Sequence, residues 1–286
     1  MRISSNRLSE LRSFYFRELS ALYTRNEIAE LFVQAAMSYL NWNRSQVHTR
    51  LEQNLNQSEM LLIYDCAKEL AGGKPLQYIL KEAWFFGLKF KVNPSVLIPR
   101  PETEELVQLV LKYFTENSGH LLDIGSGSGC IPISIKKNRP ALEVSACDVS
   151  PAALTLATEN AKTNKVSINF FHCDILKGEL TTTYDVIVSN PPYILPAERD
   201  NMEDQVLKHE PELALFTPQE QPVLFYEKII ELSVKHLKPG GRLFFELNPQ
   251  TASQVLDKII ETDRFNHQEL IHDISGKVRF LYAQRK

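Results

Sequence analysis

Asn190-Pro191-Pro192-Tyr193 follows the apolar run 185–188 with groups suited to gripping a planar nitrogen. An amide or amino nitrogen is a poor nucleophile, because its lone pair is delocalised. Two acceptors holding its hydrogens orient it and favour the charge that develops on attack. The Asn190 side-chain oxygen and the Pro191 carbonyl are the candidate acceptors. Pro191 and Pro192 fix φ and carry no N–H, so the segment cannot continue a helix and its carbonyls stay available. Tyr193 offers a flat face for stacking. In-line group transfer then depends on holding the two reacting atoms at near-attack distance, about 3 Å, and needs no dedicated general base. Taken alone, Asn-Pro composition also makes an ordinary surface turn.

A second motif tips that balance. Asp123-Ile124-Gly125-Ser126-Gly127-Ser128-Gly129 is a glycine-rich turn between an apolar strand and a helix beginning near Cys130, where glycines let a ligand approach the backbone. A dinucleotide site is the rival reading. However, Cys130 stands where the third glycine of a dinucleotide fingerprint would be. A carboxylate at Asp123 would also repel a pyrophosphate, whereas it suits the ammonium and sulfonium charges of S-adenosylmethionine (SAM). The expected cofactor residues are Asp123, Gly125, Ser126, Gly127, Ser128 and Gly129. Asp148, about 20 residues after the loop, is expected to hold the ribose hydroxyls; its alternative is a helix N-cap ahead of Ser150-Pro151. Asp174 is a candidate for facing the adenine, with Ile175 packing on its ring.

These residues need a scaffold that brings distant segments together. Beyond residue 119 short apolar strands (121–124, 144–147, 168–172, 185–188, 242–246, then 269–274 and 278–283) alternate with helical segments, which predicts an α/β fold of parallel βαβ units with ligands at the strand ends. Before it, Leu8, Leu11, Tyr15, Leu19 and Leu22 recur at helical spacing. Thr24 and Glu27 form a capping box, and a helix over 58–71 stops at Gly72-Gly73. Residues 8–72 therefore read as a small helical bundle. Aromatic, alternating residues around Gly87 read as a hairpin over 84–92. The prolines of Leu97-Ile98-Pro99-Arg100-Pro101 exclude a helix there and allow one from Glu102.

The 286 residues, 43% hydrophobic and 23% charged, suit a folded chain of two domains. A net charge of −3 asks for no polyanionic partner and argues against direct nucleic-acid binding. No apolar run approaches the roughly 20 residues of a membrane span, and the first residues lack the apolar core of a secretory signal. Cys66, Cys130, Cys147 and Cys173 are widely spaced with no CxxC pair, which fits a reduced, cytoplasmic setting. The seven histidines form no short metal-ligand pair, so no metal is expected.

Further segments give the chain a family likeness: Gly73-Lys74-Pro75-Leu76-Gln77-Tyr78-Ile79, Ile98-Pro99-Arg100-Pro101-Glu102-Thr103-Glu104-Glu105, Glu210-Pro211, and Gly240-Gly241-Arg242 leading to Glu246. With the glycine-rich loop and Asn190-Pro191-Pro192-Tyr193, the sequence resembles the release factor glutamine methyltransferase family (HemK/PrmC type) over nearly its whole length. The resemblance implies a seven-stranded, Rossmann-like SAM-dependent methyltransferase domain at 96–286, a linking β-hairpin at 81–95 and an N-terminal helical substrate-recognition domain at 1–80. It implies methylation of the glutamine side-chain amide in the Gly-Gly-Gln motif of peptide chain release factors, with S-adenosyl-L-homocysteine as the second product. Gly125 to Gly129, Asp148 and Asn190 then fall on cofactor positions, Asn190, Pro191 and Tyr193 on catalytic ones, and Asn190, Pro191, Pro192, Tyr193 and Arg100 on substrate-binding ones. For Arg100 an ion pair is the alternative. The expected enzyme is a monomer in the cytoplasm with neither nucleic-acid nor membrane partners. The alternatives are a ribosomal-protein glutamine methyltransferase, an adenine-directed nucleic acid methyltransferase and a catalytically silent SAM-binding partner of translation. One departure follows Glu246: where a family glycine is common, this chain reads Leu247-Asn248-Pro249-Gln250. No role is assigned to Glu210 or Glu246.

Overall fold

The structure, a computed structural model, describes residues 5–116, 118–218 and 221–286. The chain divides into two compact units, Met1–Lys81 with Glu203–His209, and Glu82–Met202 with Glu210–Lys286.

The first unit contains α1 (Leu8–Leu19), α2 (Arg25–Leu40), α3 (Arg44–Thr49), α4 (Gln57–Ala71) and α5 (Leu76–Leu80). The Thr24–Glu27 box closes as its spacing predicts: Thr24 N–H donates to Glu27 Oε2 at 2.7 Å, and Glu27 N–H donates to Thr24 Oγ1 at 3.4 Å. Asn43 with Gln46 and Asn56 with Glu59 cap α3 and α4 in the same way. Leu8, Leu11, Phe14, Tyr15, Phe32 and Ile63 form its buried core. Burial of the Tyr15 phenol is offset by the hydrogen bond it donates to the Ile63 carbonyl.

In the second unit, β1 (Glu82–Phe85) and β2 (Leu88–Lys91) form an antiparallel hairpin. Its two turn residues, Phe86 and Gly87, both have positive φ, as a tight hairpin requires. There follow α6 (Pro101–Tyr113), β3 (His120–Ile124), α7 (Cys130–Asn138), β4 (Glu143–Asp148), α8 (Pro151–Asn164), β5 (Asn169–His172) and β6 (Tyr184–Ser189). A 3₁₀ turn (Pro196–Asn201) leads to α9 (Asp204–His209), which belongs to the first unit, and the chain continues with α10 (Glu212–Leu215). It ends with α11 (Leu224–His236), β7 (Leu237–Glu246), α12 (Ala252–Glu261), β8 (Phe265–His272) and β9 (Val278–Arg285).

The sheet order is β5-β4-β3-β6-β7-β9-β8. The first five strands are parallel; β9 runs antiparallel to both β7 and β8. This is the seven-stranded, doubly wound arrangement expected of the fold class. Alternation along the strands divides the core between the two sheet faces. Leu243, Phe245 and Leu281 pack on one side with Tyr226 and Ile229, while Phe244, Phe280 and Tyr282 pack on the other with Phe85 and Phe90.

The site is set by what happens at β3. It lies between β4 and β6, so the chain reverses its direction of winding there, and ligands of open α/β sheets collect at such a switch point. Ile124 is in register with Cys147 of β4 and with Ser189 of β6. The residues that follow, Gly125, Asp148 and Asn190, therefore leave the sheet level with one another along the same edge.

Candidate active site

The glycine-rich loop is held from both sides. Gly125 and Ser126 N–H donate to the Cys147 carbonyl at 2.9 and 3.0 Å. Gly127 N–H donates to Asp148 Oδ2 at 2.8 Å, while Asp148 Oδ1 accepts from Ser150 N–H at 2.8 Å. The N-cap weighed for Asp148 is supplied by Ser150, whose hydroxyl accepts from Ala153 N–H at 3.2 Å. Gly125, Gly127 and Gly129 all have positive φ, a region costly for residues with a Cβ. Gly129 is the N-cap of α7.

Asn160 is a support that the sequence did not reveal. It is fully buried in α8. Its Nδ2 donates to the carbonyls of Ser128 (2.9 Å) and Lys91 (3.0 Å), and its Oδ1 accepts from Lys91 N–H (2.7 Å). One side chain thus ties the hairpin to the loop.

A cavity of about 310 Å³ opens between these segments, a size in the range of small-molecule sites. It brings together most of the predicted residues: Gly125, Ser126, Gly127, Ser128, Asp148, Asp174, Ile175, Asn190, Pro191, Pro192 and Arg100 all line it. Leu97, Ile131 and Phe225 add apolar wall. Asp174 also pairs with Lys177 at 3.1 Å, and this hydrogen-bonded ammonium holds its carboxyl below the usual carboxylate range.

Three predicted residues stand apart from the lining. Gly129 turns the chain into α7, beneath the loop. Asp123 is fully buried, and among the described residues neither of its carboxylate oxygens meets a hydrogen-bond partner. Burial, and secondarily the charge of Asp148, raises its pKa well above the ordinary value. A carboxyl with a raised folded-state pKa is stabilising when protonated. That contribution is lost as pH climbs from the ordinary range through the raised pKa, by up to about 1.4 kcal/mol per pH unit. Asp123→Asn is therefore expected to flatten this fall in the cofactor-free protein, which denaturant unfolding at a series of pH values measures. An unchanged slope would mean that Asp123 is ionised at no cost.

Tyr193 is the third. Its ring packs against the core, and its hydroxyl donates to Glu246 Oε1 at 3.1 Å. Burial, followed by the nearby Glu246 charge, raises the phenol pKa.

The Asn190 amide is itself held. Ser189 Oγ donates to the Ile124 carbonyl at 2.7 Å, fixing the end of β6 against β3. Asn190 Nδ2 donates to Thr103 Oγ1 at 3.2 Å, and Thr103 Oγ1 donates to Glu246 Oε2 at 2.8 Å. Thr103 occupies the third helical position of α6, which begins at Pro101 directly after the extended Arg100. Glu210, likewise unassigned from sequence, is buried and accepts from Arg100 Nη2 (2.5 Å) and Ile98 N–H (3.1 Å). Arg100 thus both lines the cavity and makes the ion pair that was its alternative reading. Within the departing segment 247–250, Asn248 has a structural use: its Nδ2 donates to the Tyr193 carbonyl at 3.1 Å and to Glu198 Oε2 at 2.7 Å. Among the described residues no group of three or more His, Cys, Asp or Glu side chains is placed to hold a metal ion. No described helix is long and apolar enough to cross a membrane.

Comparison with known proteins adds an independent line. Residues 15–80 match the PrmC N-terminal domain model and residues 102–213 the methyltransferase small domain model. The chain is 38% identical over 280 residues to a release factor glutamine methyltransferase of Bacteroides thetaiotaomicron, covering 97% of this chain and 100% of that one. It is 40% identical over 233 residues to one of Lactococcus lactis, covering 81% and 85%. A solved methyltransferase structure from Pyrococcus furiosus superposes with a TM-score of 0.51 at 20% identity, over 71% of this chain and 90% of that one, a likeness of fold. The chain belongs to the release factor glutamine methyltransferase family.

Proposed function

We propose that this protein transfers the methyl group of SAM to the side-chain amide nitrogen of the glutamine in the Gly-Gly-Gln motif of peptide chain release factors. The observation that carries the reading is the convergence of the glycine-rich loop, Asp148 and Asn190 on one cavity, in a chain that aligns over 97% of its length with a release factor glutamine methyltransferase.

The residues present fit SAM. Gly127 has nothing within 4 Å of where a Cβ would stand, which leaves room for a ligand against the backbone. The Ser126 hydroxyl is buried without a partner among the described residues. In this reading Gly125 to Gly129 and Asp148 hold the cofactor, with Asp174 and Ile175 at its base; Asp123, whose carboxyl burial holds toward its protonated form, lies beneath the loop, where the cationic groups of SAM would favour ionisation. SAM contributes a methyl carbon made electrophilic by the adjoining sulfonium.

The remaining work falls to the acceptor side. The Asn190 Oδ1 and the Pro191 carbonyl accept the two amide hydrogens of the glutamine. They thereby orient the nitrogen and stabilise the positive charge it gains. Pro192 and the apolar walls exclude water from the reacting groups. The methylated amide nitrogen then sheds its extra proton without a dedicated base. Arg100, anchored by Glu210, lines the approach to the cleft for the protein substrate. Residues 1–80 are the substrate-recognition domain in this proposal, 81–95 the linking hairpin and 96–286 the catalytic domain. The enzyme acts in the cytoplasm as a monomer.

A methyl-transfer assay with radiolabelled SAM and, side by side, release factor, ribosomal protein, DNA and RNA tests the substrate class. Label is expected in the release factor alone. Label chiefly in nucleic acid or ribosomal protein would overturn the proposal.

A further inference from the structure

We propose that Glu246 is a positioning residue that sets which end of the Asn190 amide faces the cavity, acting through the hydroxyl of Thr103. The inference rests on the functional reading above, in which Asn190 Oδ1 accepts from the substrate amide.

An ionised carboxylate can only accept hydrogen bonds. With Glu246 charged, Thr103 must point its single hydroxyl proton at Oε2, 2.8 Å away. Its Oγ1 is then left as an acceptor toward Asn190, whose Nδ2 lies 3.2 Å away. The amide nitrogen is thereby held toward Thr103 and the amide oxygen is presented on the other side. The other carboxylate oxygen accepts from the Tyr193 hydroxyl at 3.1 Å, so one buried group holds the first and last residues of Asn190-Pro191-Pro192-Tyr193. Glu246 is 1% exposed, and its backbone carbonyl accepts from the Tyr226 hydroxyl at 2.9 Å. A buried carboxylate is costly unless its lone pairs are satisfied, which makes this an expensive feature to keep for packing alone.

Protonation reverses the chain. A neutral Glu246 donates to Thr103 Oγ1, the threonine proton turns to Asn190, and the amide flips to bond through Oδ1. Its NH₂ then faces the cavity, a donor opposed to the substrate's own amide hydrogens. The charged and titratable groups facing Glu246 are Glu102 from α6, Cys130 from α7, Tyr193 after β6, Tyr226 from α11 and Arg279 from β9, the last also paired with Asp273 at 3.4 Å. Burial is the largest influence and raises the carboxyl pKa; the Thr103 and Tyr193 hydrogen bonds and Arg279 oppose it. Loss of the active orientation is expected as pH falls through that raised pKa.

The test uses the full-length enzyme with ¹⁵N-labelled asparagine, the Asn190 side-chain signal being assigned by its absence in Asn190→Ala. In the native protein this signal should titrate with an apparent pKa above the ordinary carboxylate range. It should not titrate in Glu246→Gln, and should shift in Thr103→Val. Thr103→Val, nearly isosteric and so expected to fold, should lower kcat toward release factor by about 10- to 100-fold with KM and cofactor affinity nearly unchanged; Thr103→Ser should restore it. An Asn190 signal indifferent to Thr103→Val, or a kcat within about twofold of native in that variant, overturns the proposal. A native enzyme that methylates no release factor contradicts the functional reading instead, and the amide signal then decides the relay by itself.

Discussion

Asn190→Ala is expected to lower kcat for methyl transfer by about 10²–10³-fold, the cost of removing one oriented group from a charge-developing centre. Affinity for S-adenosylhomocysteine, measured by calorimetry, should change little. The separation follows from where the side chain reaches. The Asn190 amide bonds to Thr103 on the acceptor side of the cavity. The cofactor loop is fixed independently, by Cys147, Asp148 and Asn160. Truncation therefore removes an acceptor for the substrate amide and leaves the loop intact. A variant within tenfold of native kcat would sink the role assigned to Asn190, and a variant that loses cofactor affinity to the same degree as kcat would relocate it to the cofactor side.

Two glycines of the loop, two residues apart, should fail in different ways. A Cβ at Gly129 would come within 3.0 Å of Ile133 Cδ1 and 3.2 Å of Ala157 Cβ, at a φ of +80°. Gly129→Val thus combines left-handed backbone strain, about 1–2 kcal/mol, with overpacking, about 1–3 kcal/mol. It is expected to destabilise the second unit by several kcal/mol and to lower its thermal midpoint. At Gly127 nothing lies within 4 Å of the added atom, so Gly127→Ala bears only the strain. Its methyl instead occupies the space through which a ligand approaches the backbone. The expected result is a modest loss of stability with a disproportionate loss of cofactor affinity. Equal losses of both properties in the two variants would show that the loop does not separate packing from binding as its geometry implies.

The sheet and its order of elements were legible because each strand is a short apolar run bounded by turn residues, and because the capping signal at Thr24 is local. The cofactor loop was legible for the same reason: its glycines are adjacent in sequence. The supports of the acceptor were hidden. Thr103 lies 87 residues from Asn190, and Glu246 lies 143 from Thr103. Neither has a spacing that marks it, and their connection exists only once β6 and β7 are neighbours and α6 starts beside them. Asn160 was hidden by its place in the middle of an unremarkable helix, where nothing local signals that its amide satisfies two separate backbone segments. Tyr193 carries contacts that its residue type did not signal: its hydroxyl donates to the buried Glu246 and its ring packs against the core.

The central claim is that the acceptor is a glutamine amide on a protein. Fragmentation mass spectrometry of a release factor incubated with the enzyme and SAM tests it most directly. The account predicts a single added methyl group on the peptide containing Gly-Gly-Gln, localised to the glutamine side chain and absent when Asn190→Ala replaces the native enzyme. A Gly-Gly-Gln peptide that gains no methyl, or a methyl on another residue, would contradict it.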